Sequence, residues 1–356
     1  MTRFPTDGST IDLQPLFFSL TLDSATEFLF GQSVDSLNSA EDSEQVKFGK
    51  DFDYAQNCLT MRSRLGKLVF LYRNKLFDQA CQNVHAFVDE IVRTELARTP
   101  PEDAEKSNDG NGDANRYVFL TELVKSTRDP VRLRDELLNV LLAGRDTTAS
   151  LLSNTFHALV RRPDIFRKLK AEIDQLNGEK PDYETLRNLK YLKQILNECE
   201  KIFCHTIKCI LKIRTALRLY PVVPINARYA KEDTTIPLGG GPHGTSPLFI
   251  PRGALVAYSA YSMHRLQSIY GPDADIFRPE RWDPSENLRP GWGYLPFNGG
   301  PRICVGQQFA LTEASYTIVR LCQEYRIEDR EGGEWIPKVA LTTACGNGVK
   351  VVMEKI

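Results

Sequence analysis

Between residue 12 and about residue 97 the apolar positions recur three and four apart, first as Leu16, Leu20, Leu22, Ala25, Phe28 and Leu29, then as Val84, Phe87, Val88, Ile91 and Val92. That spacing gathers them on one face of a 3.6-residue helix and predicts a helical first part. Residues 99–116 are polar, acidic and rich in Gly, Asn and Asp, and read as an exposed loop. A long helix is predicted from about 130 to 161, with Leu137, Leu141, Leu152, Phe156, Leu159 and Val160 on its apolar side and Pro163 as its stop. Further helices are predicted at 164–176 and from 183 to about 198. Beyond Tyr220 the pattern shortens to β-branched pieces at 235–237, 254–258 and 349–353, separated by Gly and Pro, which predict small sheets. A last helix is expected over 306–325. The prediction is a mainly α chain with small β-sheets and no internal repeat.

Two stretches break these local rules. Inside the long helix, AGRDTTAS (143–150) places Gly144, Asp146, Thr147 and Thr148, weak helix formers with a combined cost of roughly 2–3 kcal/mol against alanine. A strong helix carries such a run where function or close packing requires it. The second stretch, FNGGPRICVG (297–306), crowds glycines and a proline around Cys304. Glycines let a backbone approach something that leaves no room for side chains.

Charge and composition narrow the possibilities. With 45 basic and 46 acidic residues and a pI near 6.6, the chain has no net field favouring nucleic acid or an anionic membrane, and it shows no nucleic-acid motif. At 356 residues and 42% hydrophobic content it is long enough for one large domain or two. Its eight cysteines are scattered, as reduced thiols are, rather than arranged as a disulfide scaffold. The N-terminal stretch has no signal-peptide layout and no run is long and apolar enough to span a bilayer, so no anchor is expected in the chain as written.

Cys304 ends a tight loop and precedes a predicted helix start, where free N–H groups and the helix dipole favour a thiolate; Arg302 adds positive charge nearby. Most cysteines are packing residues, but the glycines, Arg302 and the following helix set this one apart. Three chemistries use such a thiolate. A nucleophile needs a base, and none of the five histidines (His85, His157, His205, His243, His264) sits in a motif that marks it as one. Zinc needs three or four ligands, and Cys304 has no close Cys or His companion. Haem iron needs one thiolate, a flat apolar slot that glycines permit, and cations for the propionates. Residue counting favours haem.

The spacing F-x-x-G-x-R-x-C-x-G, met by Phe297, Gly300, Arg302, Cys304 and Gly306, resembles the haem-binding signature of the cytochrome P450 superfamily. The resemblance implies a helical haem-thiolate fold with haem b as cofactor, Cys304 as the axial iron ligand, Arg302 as a propionate partner and Phe297 as a ring near the sulfur. AGRDTT resembles the family's oxygen-activating motif. Ala143 and Gly144 would leave space for dioxygen and substrate, Asp146 and Thr147 would form an acid and alcohol proton relay, and Thr148 would assist or pack. FRPERW (277–282) resembles the family's arginine segment and implies that Arg281 belongs to a buried glutamate-arginine-arginine cluster. Its partners are expected at Glu198, in YLKQILNE, and Arg218, in LRLYP, whereas Glu184 and Arg187 form a misplaced E-x-x-R match. Arg228, in PINARYA, is expected at a haem propionate.

Glu198 and Arg218 are separated by a basic stretch, 199–216, carrying three cysteines where the family needs one helical turn. A zinc reading of Cys199, Cys204, His205 and Cys209 fits no common spacing. The codons of Cys199-Glu200 can hold a splice donor and those of Thr215-Ala216 an acceptor. Excision would leave NESLRLYP with E-x-x-R restored, so a retained intron is expected. LTLDSATEFLFG, FDYAQ, YSMHR and LTTACGNGVKV resemble the fungal alkane and fatty-acid ω-hydroxylases of the superfamily. This implies hydroxylation of a long-chain aliphatic substrate at or near its terminal carbon with O2 and electrons from an NADPH-cytochrome P450 reductase, on the cytoplasmic face of the endoplasmic reticulum membrane. Val222, Val223, Ile225 and Thr343 are the expected substrate contacts. By the same resemblance the chain is expected to be a partial P450 domain that lacks its N-terminal portion, with a non-catalytic remnant of impaired haem binding as the alternative.

Overall fold

A computed structural model describes residues 7–40, 42–99, 117–198, 217–330, 333 and 335–356. The described residues form helices α1 (Leu13–Phe30), α2 (Glu44–Leu65), α3 (Lys75–Arg98), α4 (Phe119–Ser126), α5 (Pro130–Leu159), α6 (Pro163–Asp174), α7 (Tyr183–Asn188), α8 (Lys190–Glu198), α9 (Ala260–Met263), α10 (Gln267–Tyr270) and α11 (Gln307–Glu324). Strands are β1 (Ile11–Asp12), β2 (Ile225–Tyr229), β3 (Thr234–Gly240), β4 (Ser246–Ile250), β5 (Leu255–Ser259), β6 (Tyr325–Asp329), β7 (Pro337–Val339), β8 (Thr343–Cys345) and β9 (Lys350–Lys355). Packing divides the chain into two compact units, Met1–Leu189 with Val305–Ile356, and Lys190–Cys304. Residues 100–116 of the acidic loop and the whole 199–216 stretch lie outside the described residues.

In the first unit polar residues cap several of the helices. Asp12 accepts the Gln14 N–H at the start of α1, Asn74 accepts from Leu76 and Phe77 at the start of α3, and Asp129 precedes Pro130 at the start of α5. Leu22 and Leu29 of α1, Val84, Val88 and Val92 of α3, Leu120 and Val124 of α4, and Leu133, Leu137 and Leu141 of α5 form one buried cluster. Each such side chain contributes roughly 1.5–3 kcal/mol by leaving water. A three-stranded antiparallel sheet, β1-β9-β6, and the β7–β8 hairpin complete the unit.

The second unit holds α8, α9, α10, the antiparallel pairs β2–β5 and β3–β4, and several one-turn 3-10 helices, including Pro279–Trp282 and Gly300–Arg302. The expected strands at 235–237, 254–258 and 349–353 are β3, β5 and β9, each longer or shifted by a residue or two. Three expectations change. Pro163 does not merely stop a helix; it occupies the first turn of α6, where its missing N–H is not needed. The helix expected over 183–198 is two, because Leu189 between them is extended (φ −73°, ψ 92°) and buries its side chain. Short α4 also forms, its Phe119, Leu120, Leu123 and Val124 recurring at helical spacing over only eight residues.

Candidate functional site

Residues 297–304 of the cysteine loop belong to the second unit and close on themselves. The Cys304 N–H donates to the Phe297 carbonyl at 2.9 Å and the Ile303 N–H to the Gly300 carbonyl at 3.1 Å. Gly300 has φ +65°, a conformation that strains other residues, although open space surrounds it. Gly299 is needed for a different reason, since a Cβ there would lie 2.7 Å from the Trp292 ring. Asn298, also left-handed at φ 64°, accepts the Tyr258 hydroxyl at 2.6 Å and so ties the loop to β5. The result presents Cys304 as an exposed free thiol between Ile303 and Val305, which are 52% and 102% exposed. An accessible soft sulfur flanked by apolar side chains on a glycine-turned backbone suits a flat iron porphyrin. Arg302 is exposed, Phe297 half-buried, and Gly306 sits just before α11, which starts three residues after Cys304.

The same unit holds a charge cluster in which Glu198, Arg218 and Arg281 have almost no exposure. Arg218 donates to both oxygens of Glu198, Nε to Oε2 at 2.8 Å and Nη2 to Oε1 at 2.5 Å, while Arg281 Nε reaches Oε1 at 3.0 Å. Trp282 Nε1 donates to Oε2 at 2.8 Å and the Arg278 N–H to Oε1 at 3.2 Å. Arg281 turns its other nitrogens to Asp273, at 3.0 and 3.1 Å. The Glu198 carboxylate thus faces both buried guanidiniums, and the partly exposed Asp273, also paired with Arg278, supplies Arg281 with a second countercharge. Burial opposes ionisation of Asp273, but hydrogen bonds and charge from Arg281 and Arg278 hold its carboxyl below the usual range. Glu184 and Arg187 instead form an exposed pair at 3.2 Å, worth little energetically.

His264 joins cluster and loop. Its Nδ1 faces the Leu217 and Arg218 carbonyls at 3.0 and 3.1 Å, so the hydrogen-bond network assigns the proton to Nδ1, and Nε2 accepts the Leu295 N–H at 2.8 Å. Arg218 Nη1 donates to the His264 carbonyl at 2.9 Å. Burial pushes the His264 imidazole down to about 4, and burial pushes His157 of α5 to about 3. An unfolded imidazole titrates near 6.5, so as pH falls the unfolded chain takes up protons first. The contribution of these two residues is therefore full above about pH 6.5 and falls below it, by about 4 kcal/mol for the pair at pH 5. Urea melts across pH 5–7 of the parent chain and His157→Gln should differ in pH dependence by about 2 kcal/mol, the share of one imidazole; identical pH profiles would contradict the buried neutral assignment of His157.

The AGRDTT segment lies in the first unit, on an unbroken α5. Ala143 is exposed, no atom lies within 4 Å of a Cβ built on Gly144, and Thr147, on the face of Ala143, donates its hydroxyl to the Ala143 carbonyl at 2.8 Å. Arg145, Asp146 and Thr148 face inward and are 3%, 7% and 1% exposed. Asp146 accepts from Gln56 of α2 and, at 3.1 Å, from Arg145, which is also paired with Asp53. Burial raises the Asp146 carboxyl above its ordinary value despite the opposing Arg145 charge.

Thr148 is also near Glu313 of α11, whose Oε1 is buried without a partner. Burial pushes the Glu313 carboxyl up to about 7, against the pull of the Ser24 and Thr148 hydroxyls. Here the unfolded chain ionises first, near pH 4.5, so this residue costs stability as pH rises from about 4.5 to 7. Glu313→Gln is expected to gain about 2–3 kcal/mol at pH 8 and nothing at pH 4, read from denaturant midpoints.

Of the remaining predicted residues, Arg228 on β2 is exposed, with Nη1 on the Ala227 carbonyl at 2.8 Å. Val223 and Ile225 are 37% and 63% exposed, whereas Val222 is buried. Thr343 has no exposure, and its carbonyl accepts Asn154 Nδ2 at 3.4 Å. The structure therefore brings Glu198, Arg218 and Arg281 together in one cluster, places Cys304 on a loop of the same unit, and holds Asp146 and Thr147 on α5 of the other. Sequence reasoning missed His264, Asp273, Trp282, Arg145, Asp53 and Gln56. Asp53, Gln56, Arg145, His264 and Trp282 stand inside quoted motifs, but only their partners reveal their use.

A thiol-presenting glycine loop over a buried glutamate-arginine cluster, in a helical fold with small antiparallel sheets, defines the haem-thiolate class. The sequence profile described as Cytochrome P450 matches residues 2–203 and 210–344, and the chain belongs to that family, whose cofactor is haem b with an axial cysteine thiolate. It is 47% identical to Cytochrome P450 52A13 of Debaryomyces hansenii, over 97% of this chain and 65% of that protein. It is 48% identical to Cytochrome P450 52A5 of Candida maltosa, over 89% and 59%, and 44% identical to Cytochrome P450 monooxygenase himC of Aspergillus japonicus, over 98% and 59%. The chain thus spans about two thirds or less of the length of these relatives. The fold is similar to the crystal structure of the cytochrome P450DA heme domain, with a TM-score of 0.76 at 22% identity, covering 98% of this chain and 69% of that one.

Proposed function

We propose that this chain is the haem-thiolate body of a monooxygenase that hydroxylates a long-chain alkane or fatty acid at or near its terminal carbon. Dioxygen and NADPH-derived electrons from a cytochrome P450 reductase would be consumed. The observation that carries this reading is Cys304, an exposed thiol at the end of a self-closed glycine loop. Cys304 would hold the iron, and the exposed Arg302 and Arg228 would pair with the propionates. Bound haem supplies activation of dioxygen and transfer of one oxygen atom to a C–H bond. The residues of α5 manage protons. Asp146, raised by burial, can hold a proton nearer neutral pH than an exposed carboxyl. The Thr147 hydroxyl spends its hydrogen on the Ala143 carbonyl and keeps its oxygen lone pairs to accept one.

The substrate class comes from the resemblance to fungal ω-hydroxylases, since a fold alone does not choose a substrate. Val222, Val223, Ile225 and Thr343 are the proposed substrate contacts. Among the described residues no helix is long and apolar enough to cross a membrane; placement at the endoplasmic reticulum follows only from the family resemblance. The test is the reduced, carbon-monoxide-bound spectrum of the haem-reconstituted chain, followed by turnover with reductase and NADPH. A thiolate band and a terminally hydroxylated product support the reading. A folded chain without that band would favour a non-catalytic form.

We infer also that 199–216 is a retained intron. Glu198 and Arg218 bond directly although the stretch lies between them in sequence, and residues 204–209 fall outside the family match. Transcripts that all carry the stretch would overturn this.

A further inference from the structure

Asp146 has surroundings that its own helix does not supply. Its Oδ1 accepts from Arg145 Nη1 at 3.1 Å and its Oδ2 from Gln56 Nε2. Arg145 is gripped by Asp53 at both terminal nitrogens, Nη2 to Oδ2 at 3.1 Å, and its Nε donates to the Phe18 carbonyl at 3.3 Å. The Phe18 and Phe52 rings lie 5.1 and 5.9 Å from its guanidinium carbon. Asp53 and Gln56 are three residues apart on α2, which puts them side by side on one face. Helix propensity gives no reason for this arrangement in the middle of α5, and an interior arginine between two carboxylates is a fork that only fixed geometry can fill.

We propose that Asp53 and Gln56 act, through Arg145, as a positioning clamp that decides whether Asp146 is locked as a hydrogen-bonded carboxylate or released to carry a proton; this rests on the reading of Asp146 as the relay acid. Two carboxylates share one guanidinium, so the network carries one surplus negative charge, which a single proton on Asp146 neutralises. Asp53 competes with Asp146 for Arg145 and therefore loosens the lock, while Arg145 and Gln56 tighten it. Gln56 suits both states. Its Nε2 donates to the carboxylate, and its Oε1, buried without a partner, would accept from a protonated Asp146 after an amide flip. The Asp53 side chain is 49% exposed and that of Arg145 only 4%, so the outer end of the network meets solvent and the inner end does not. The charged groups facing Asp146 are Arg145 from α5 and Asp53 from α2. α1 contributes the Phe18 carbonyl and ring, and α11 brings Glu313 to Thr148, further along α5.

The clamp predicts shifts of opposite sign. Asp53→Asn leaves Arg145 wholly to Asp146 and should lower its proton affinity about tenfold, whereas Arg145→Gln or Gln56→Leu removes a donor and should raise it about tenfold. Arg145→Lys keeps the charge without the fork and should restore part of the loss. The readout is a pH titration of the full chain followed by the infrared carboxyl band that disappears in Asp146→Asn, which requires neither haem nor turnover. Opposite shifts for Asp53→Asn and Arg145→Gln support the clamp; shifts of the same sign, or an unmoved band, overturn it. Should Arg145→Gln fail to fold, Asp53→Asn at its half-exposed position decides alone, and an unmoved band there is enough to reject the proposal. The carbon-monoxide spectrum of the same preparations reads Cys304 independently, so a clamp that shifts in a chain without a thiolate band would leave the clamp standing and the monooxygenase reading fallen.

Discussion

Cys304→Ala is expected to abolish the thiolate signature in the reduced, carbon-monoxide-bound spectrum while leaving the chain folded. Both halves of the prediction come from the same geometry. The thiol is exposed and the described contacts of the residue are made by its backbone, whose N–H donates to Phe297. Alanine keeps that N–H, so the stability change should stay within about 0.5 kcal/mol, as for other exposed positions away from special features. The sulfur, in contrast, has no substitute as an anionic soft ligand. A retained thiolate band would mean that another cysteine holds the iron. A large loss of stability would mean that Cys304 has a structural role the exposed geometry does not suggest.

Glu198→Ala should be among the most destabilising single changes in the chain, by about 3–5 kcal/mol in urea or thermal unfolding. Glu198 has no exposure and accepts hydrogen bonds from Arg218, Arg281, Trp282 and the Arg278 backbone. Removing it strips the countercharge from two buried guanidiniums that cannot shed their protons. Such a loss is a large fraction of an ordinary folding free energy. Arg281 would keep Asp273, and Arg218 would keep carbonyls only, so the excess charge falls on Arg218. Glu198→Gln, which keeps an acceptor oxygen but no charge, should lie between. A cost for Glu198→Ala below about 1 kcal/mol would show that the cluster is not what holds this unit together.

Much of the first unit was legible because its signals are local. Capping residues, Pro130 and the i, i+3, i+4 apolar spacing act within one or two turns, so they can be read without knowing any partner. The break at Leu189 was not legible, because the decision to bury Leu189 rather than continue the helix depends on what surrounds it. The same contrast appears in the functional residues. Phe297, Gly300, Arg302 and Cys304 stand close together in the chain and their spacing was readable. His264 stands in YSMHR, but nothing in that phrase shows that it ties the Leu217 and Arg218 carbonyls to the Leu295 N–H, segments far apart in sequence.

By itself the sequence determined the helical class, the cysteine loop with its glycines, and the family to which these motifs point, since each rests on neighbours in the chain. Only the tertiary structure decided that Asp273 and Trp282 complete the Glu198 cluster and that α2 supplies the partners of Arg145 and Asp146. Electrostatic partnership in a low-dielectric interior depends on distance in space and on burial, and neither quantity is written in the order of residues.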